Sequence, residues 1–147
     1  MRIVVDTNIA FSAILKSNSI IAKILLASKT RLNFYSTDLL QQEISDHKLK
    51  LKELSGLSES DLNKSISLVT GKIRFIDALL IPSVVFNRTK DLLKEIDIDD
   101  TEFVALTEHI NGKLWSGDKI LQKGLKKKNW IKFVTTEELY RLTIGKK

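Results

Sequence analysis

The feature that most constrains this chain is its alternation of short strand-like segments with helix-like segments. The strand-like segments are rich in β-branched or aromatic residues and cover residues 3–5, 32–36, 73–76, 113–115 and 131–134. Amphipathic stretches separate them, and hairpin signals are almost absent. This order predicts a three-layer α/β/α fold around a central, mainly parallel sheet.

Composition limits the class of protein. The 147 residues suffice for one compact domain, 1–147, and 43% hydrophobic with 29% charged residues is ordinary for a globular protein. No apolar run approaches the roughly 18 residues that span a bilayer, and Asp6 comes too early for a signal peptide. The absence of cysteine excludes disulfides and thiolate metal sites. We therefore expect a cytoplasmic protein without membrane contact.

A net charge of +6 favours a polyanionic partner. The densest basic cluster is Lys126, Lys127 and Lys128, and Trp130 follows it closely. Two interpretations stay open here. The lysines could grip a phosphate backbone while the tryptophan stacks on a base. The alternative, which we favour, is a solvated helix end followed by a core tryptophan.

Three pairs of residues with capping-box spacing predict helix starts: Asp38 with Gln41, Asp99 with Glu102, and Thr135 with Glu138. The first would begin one helix with an apolar stripe from Leu40 to Leu54. The second would begin a helix that ends near Gly112.

Four acids are expected at one edge of the sheet. Asp6 directly follows the first strand, and Asp118 follows the strand 113–115 after two residues. Asp100 begins a helix that lies between two strands, and Glu43 lies early in its helix. Because the carboxyl ends of parallel strands meet at one edge, these carboxylates should converge there.

Convergence of acids has an electrostatic cost. Two like charges about 5 Å apart repel by roughly 3 kcal/mol at an effective dielectric near 20. A hard divalent cation with oxygen ligands, Mg²⁺ or Mn²⁺, removes that cost. One or two such ions can activate water at a phosphodiester bond.

With these residues in place, the sequence resembles the PIN domains, small α/β nucleases known from toxin–antitoxin pairs. The resemblance covers nearly the whole chain in four ordered motifs: VVDTNI with Asp6, LLQQEI with Glu43, DIDDTEFVALT with Asp100, and LWSGDKIL with Asp118. Thr101 and Ser116 replace the alanine and threonine that are commoner in the family. Neither departure removes a predicted ligand.

The resemblance implies a metal-dependent endoribonuclease that hydrolyses RNA phosphodiester bonds as the toxin of a toxin–antitoxin pair. Asp6, Glu43, Asp100 and Asp118 would be the catalytic acids and would hold one or two Mg²⁺ or Mn²⁺ ions. Asn8 and Ser116 would orient these ligands, and Lys119 with Lys126, Lys127 and Lys128 would contact the substrate. The family also implies RNA, an antitoxin protein and a second copy of the chain as partners.

Structural interpretations compete with these roles. Asp6 and Asp118 could each simply cap the helix that follows, and we favour Asp99 as a cap over a metal ligand. His47 lies four residues after Glu43, and we favour a partly buried histidine over a metal ligand.

Two other functions compete with the nuclease. One is a phosphoaspartate receiver or phosphatase-like protein with a Mg²⁺ site. The other is a non-catalytic module that binds RNA or protein on the same fold.

Overall fold

The computed structural model describes residues 1–27 and 31–143. Within these ranges the strands are Arg2–Val5 (β1), Asn33–Thr37 (β2), Ile73–Ile76 (β3), Lys113–Trp115 (β4) and Phe133–Val134 (β5). They form one sheet in the order β3-β2-β1-β4-β5, and every neighbouring pair is parallel. The predicted parallel sheet is confirmed.

Helices connect the strands and cover both faces of the sheet. In chain order they are Thr7–Leu15 (α1), Ile20–Leu26 (α2), Asp38–Asp46 (α3), Lys48–Ser55 (α4), Glu59–Thr70 (α5), Ser83–Leu93 (α6), Thr101–His109 (α7), Lys119–Lys127 (α8) and Thr136–Thr143 (α9). Short 3-10 turns occupy Ala78–Leu80 and Ile98–Asp100. The architecture is therefore three-layered α/β/α, as predicted.

The position of β1 in the middle of the sheet explains why its residues do not alternate between apolar and polar. Ile3, Val4 and Val5 in β1 have no exposed surface. A strand covered on both faces needs apolar side chains on both of its sides, so alternation disappears.

In the described part of the chain, no single helix is long and apolar enough to cross a membrane. Helices α1 and α2 meet that test only as a pair, and they are bent by 101° relative to each other. Their residues Ala10, Ala13, Ile14 and Ile24 have no exposed surface, as expected of core helices.

One predicted helix start and the extent of one predicted helix are wrong. Strand β2 ends at Thr37 and α3 begins at Asp38, so Asp38 is the first helical residue rather than the cap. The predicted long helix is two helices, α3 and α4, with a break at His47. In contrast, the Thr135–Glu138 capping box is present: the Glu138 amide donates to Thr135 Oγ1 at 3.1 Å, and the Thr135 amide donates to Glu138 Oε1 at 3.2 Å.

The end of α7 also differs from the prediction. Asn111 adopts the left-handed conformation with φ 53°, so it takes the role predicted for Gly112. Gly112 is required for another reason, because a Cβ there would lie 2.7 Å from the Arg2 carbonyl oxygen. The glycine therefore lets the chain enter β4 directly beside β1.

The register of β1 and β4 positions the predicted site. Val5 pairs with Trp115, and these are the last residues of their strands. Asp6 and the segment from Ser116 to Asp118 therefore leave the sheet together at its carboxyl edge.

Candidate metal centre

Asp6 lies at the end of the central strand and is only 4% exposed. Its Oδ1 accepts the Ile9 amide hydrogen at 2.9 Å, so it caps α1. Burial raises the pKa of Asp6; the Ser116 hydroxyl and the Ile9 amide oppose this shift, while the nearby Asp118 charge adds to it. Asp6 is thus both a helix cap and a member of an interacting group of acids.

Asp118, which follows β4, likewise both caps a helix and belongs to the interacting group of acids. Its Oδ1 accepts the amide hydrogens of Ile120 at 3.0 Å and Leu121 at 3.1 Å, which caps α8. Among the described residues, these hydrogen bonds engage one oxygen only, so Oδ2 is available to a ligand. The capping interpretations of Asp6 and Asp118 are both confirmed, and neither uses the whole carboxylate.

Asp100 takes the N-cap position of α7 but makes no side-chain capping bond. Burial, together with the charges of Asp97, Asp6 and Asp118, raises its pKa from 3.8 to about 7. Among the residues that the structure describes, no positive charge opposes this shift, as a nearby cation would by favouring the ionised form.

Asp97 joins these residues, although the sequence did not single it out as a ligand. One carboxylate oxygen each of Asp97, Asp100 and Asp118 lies within 4.8 Å of the other two. We call these three residues the acid cluster. Once the 3-10 turn is known, the spacing of Asp97 and Asp100 accounts for this, since residues three apart on such a turn lie on the same side.

The same turn overturns the predicted capping role of Asp99. Asp97 Oδ1 accepts the Asp99 amide hydrogen at 3.0 Å, so Asp97 caps the 3-10 turn. That turn runs directly into α7, which shifts the cap two residues upstream of Asp99. Glu102, its predicted partner, is half-buried; burial raises its pKa, and the charges of Asp38 and Glu43 add to this.

Glu43 lies apart from the acid cluster but borders the same space. Its Oε1 accepts the Thr7 hydroxyl hydrogen at 3.1 Å, which ties α3 to the residue after Asp6. Glu43, Asp99 and Asp100 all line a cleft of about 610 Å³. The structure therefore brings Asp6, Asp100 and Asp118 into one electrostatic group and places Glu43 in the lining of the cleft that Asp100 also lines.

The remaining predicted residues near the site differ in their exposure to solvent. Asn8 is exposed and lines the cleft, whereas Ser116 is 5% exposed and its Oγ accepts the Asp118 amide hydrogen at 3.1 Å. His47 also lines the cleft, but it is exposed, so the prediction of a partly buried histidine is wrong. It sits at the break between α3 and α4, where its ring contacts Phe11 with a centroid separation of 5.7 Å.

The tryptophan that follows the basic cluster is a core residue, as we favoured, whereas exposed lysines agree with both interpretations. Trp130 is 7% exposed, and its indole Nε1 donates to Glu108 Oε1 at 2.5 Å. Lys126, Lys127 and Lys128 are exposed at the end of α8. Lys128 Nζ donates to the Leu92 carbonyl oxygen at 2.8 Å, which anchors it against α6.

The donor set of the acid cluster fits a hard divalent cation. Three carboxylates within 4.8 Å of one another repel, and no basic side chain hydrogen-bonds any of them among the described residues. Mg²⁺ and Mn²⁺ prefer carboxylate oxygen and need only a few protein ligands beside water. Cysteine is absent from the chain, and among the described residues no histidine belongs to the acid cluster, so softer metals are disfavoured.

The comparisons with known proteins agree with this geometry. A family model described as "PIN domain" matches residues 4–141. The comparison with curated proteins gave no significant match.

Proposed function

The chain belongs to the PIN-domain family, and from that premise we propose that it is a divalent-metal-dependent endoribonuclease. The observation that carries the proposal is the acid cluster, in which oxygens of Asp97, Asp100 and Asp118 lie within 4.8 Å of one another. The net charge of +6 supports an anionic substrate, and the resemblance of the four motifs supports RNA.

In this proposal the acid cluster holds one Mg²⁺ or Mn²⁺ ion. The bound ion would supply Lewis acidity at the scissile phosphate and lower the pKa of water at the site. Asp6 adds a further carboxylate near Asp118, and the buried Ser116 hydrogen-bonds the Asp6 carboxylate while its Oγ accepts the backbone amide hydrogen of Asp118.

We assign Glu43 as the group that accepts the proton of the attacking water. Thr7 holds Glu43 Oε1 at 3.1 Å, which leaves Oε2 as the acceptor in the cleft that Asp100 also lines. A positioned carboxylate in such a cleft can act as a general base. Asp6 suits this role less well, because it is 4% exposed. The same burial disfavours the receiver alternative, which needs an accessible aspartate as phosphate acceptor.

The test is cleavage of end-labelled single-stranded RNA, with DNA of the same sequence in parallel. We expect cutting of RNA with Mn²⁺ and none with EDTA. Asp100→Asn should slow cutting by about 100-fold or more, equivalent to about 2.7 kcal/mol of transition-state stabilisation. Asp91→Asn, at an exposed position on α6, is the matched control and should cut normally. Cutting that survives EDTA or Asp100→Asn would refute the proposal, and metal-independent RNA retention without cutting would favour the binding module.

We further propose that the activity makes the chain a toxin in the cytoplasm, held inactive by an antitoxin protein. The resemblance of the motifs to toxin–antitoxin nucleases supports this role. Induced expression in a bacterial host should arrest growth, and expression of Asp100→Asn to the same level should not. Equal growth of the two cultures would refute the toxin role without touching the nuclease proposal.

A further inference from the structure

Helix α8 borders a groove that is distinct from the cleft. The groove has a volume of about 450 Å³ and is lined by Lys119, Gln122, Lys123, Lys126, Trp130, Ile131 and Phe133. Three of these residues are lysines at positions i, i+4 and i+7 of α8, a spacing that places them on one face of the helix. All three are exposed. We call this surface the lysine groove.

The floor of the lysine groove is apolar. Ile131 is 68% exposed and lines the groove. Trp130 and Phe133 pack edge to face with their ring centroids 4.9 Å apart, and Nε1 of Trp130 donates to Glu108. Both aromatic rings therefore have partners within the protein.

The groove is joined to the acid cluster through the start of α8. Lys119 directly follows Asp118, and Gln122 Nε2 donates to the Ser116 carbonyl oxygen at 2.8 Å. At 1.5 Å of rise per residue, Lys119 and Lys126 lie about 10 Å apart along the helix axis. A stacked strand carries one phosphate per about 3.4 Å, so this length corresponds to about three phosphates.

We propose that the lysine groove binds the sugar–phosphate backbone of single-stranded RNA on one side of the scissile bond, a role that rests on the proposed nuclease activity. A positively charged groove that follows the backbone is a usual feature of sites for single-stranded nucleic acid. No acidic residue lines the groove in the described part of the chain, so its field favours an anionic occupant. The groove continues from Asp118 of the acid cluster through Lys119, so an RNA strand held at the cluster fits it better than an acidic protein segment does.

The assignment differs from the run of adjacent lysines that the sequence suggested. Lys126 lines the groove, whereas Lys127 is exposed but outside it and Lys128 is bonded to the Leu92 carbonyl. Lys123 enters the site instead. Lys127 therefore provides a matched control, since it has the same charge on the same helix.

The first test measures RNA affinity by fluorescence anisotropy over a series of salt concentrations. A labelled single-stranded RNA is used with Mg²⁺, and all proteins carry Asp100→Asn so that the RNA stays intact. The double change Lys123→Ala/Lys126→Ala should weaken binding and reduce the slope of log affinity against log salt by about 1.4, because each lost phosphate contact removes about 0.7. Alanine favours helix, so α8 should remain folded.

Two further variants decide the outcome. Lys127→Ala should keep the parental slope, and Lys123→Arg/Lys126→Arg should restore it. An unchanged slope in the double alanine variant, or an equal loss in Lys127→Ala, would overturn the proposal.

The cleavage assay separates this inference from the proposed function. In the otherwise wild-type protein, the double alanine change should raise KM and leave kcat nearly unchanged. Normal KM with normal cutting would refute the groove alone. Failure of the unaltered protein to cut RNA would refute the nuclease and, with it, the assigned role of the groove.

Discussion

Asp100 occupies the N-cap position of α7, yet among the described residues its side chain makes no capping hydrogen bond. Its surroundings make it a proton acceptor near neutral pH when no cation is bound. The pKa is about 7 in the fold, compared with 3.8 for an ordinary aspartate.

This difference predicts how the metal-free protein responds to pH. Because the folded state binds the Asp100 proton more tightly, the stabilisation is fully present below about pH 4 and is lost as the pH rises through about 7. Asp6 acts in the same direction, since its pKa is also raised. Urea unfolding in EDTA should give a lower free energy of unfolding near pH 8 than near pH 5. Asp100→Asn should weaken this dependence; an unchanged pH profile would contradict the environment assigned to Asp100.

Asp97 and Asp99 are neighbouring acids for which we expect opposite effects on metal binding. Asp97 belongs to the acid cluster, whereas Asp99 lines the cleft outside it. Asp97→Asn keeps a capping side chain for the 3-10 turn. It should increase the Mn²⁺ concentration that half-maximal RNA cleavage requires by about tenfold, equivalent to about 1.4 kcal/mol. Asp99→Asn should leave that concentration unchanged, and the reverse ranking would show that the wrong acid was assigned.

Asp97, which the sequence did not predict as a ligand, shows that spacing in the sequence is not enough to identify a ligand. Asp97, Asp99 and Asp100 lie within four positions, and only the backbone of the 3-10 turn decides which two face Asp118. Sequence spacing alone does not fix this.

At the scale of elements, Asp118 shows how one side chain can begin a helix and still serve a ligand. Asp118→Asn should keep the cap of α8 and relieve repulsion, so the metal-free protein should be equally or more stable. Asp118→Ala should lose the cap at a cost of about 1 kcal/mol, or about 3 °C in Tm. Thermal unfolding in EDTA measures both. A similar loss in the two variants would mean that the charge itself is structural.

Two of the predicted capping boxes show how far local sequence determines where a helix begins. The Thr135–Glu138 pair forms its box because a loop residue precedes α9. Asp38 does not cap, because β2 leads into α3 without a loop residue. The same spacing therefore gives different structures according to what precedes the helix, which long-range packing decides.

At the scale of the whole molecule, the strand–helix alternation was enough to predict the parallel sheet and the edge at which the acids meet. The strand order was not predictable in the same way, because the pairing of β1 with β4 joins segments about a hundred residues apart. That pairing is what sets Asp6 beside Asp118. The position of Glu43 in the lining of the cleft likewise depends on its contact with Thr7, which no local pattern specifies.

A calorimetric titration of Mn²⁺ into metal-free protein near pH 8 tests most directly whether the acid cluster holds a cation. The wild-type protein should give a saturable isotherm, and Asp118→Asn and Asp100→Asn should each weaken binding by about tenfold or more, or about 1.4 kcal/mol. Asp91→Asn should bind as the wild type does. Wild-type protein that takes up no Mn²⁺, or binding that both cluster variants retain in full, would contradict the assignment of a metal centre.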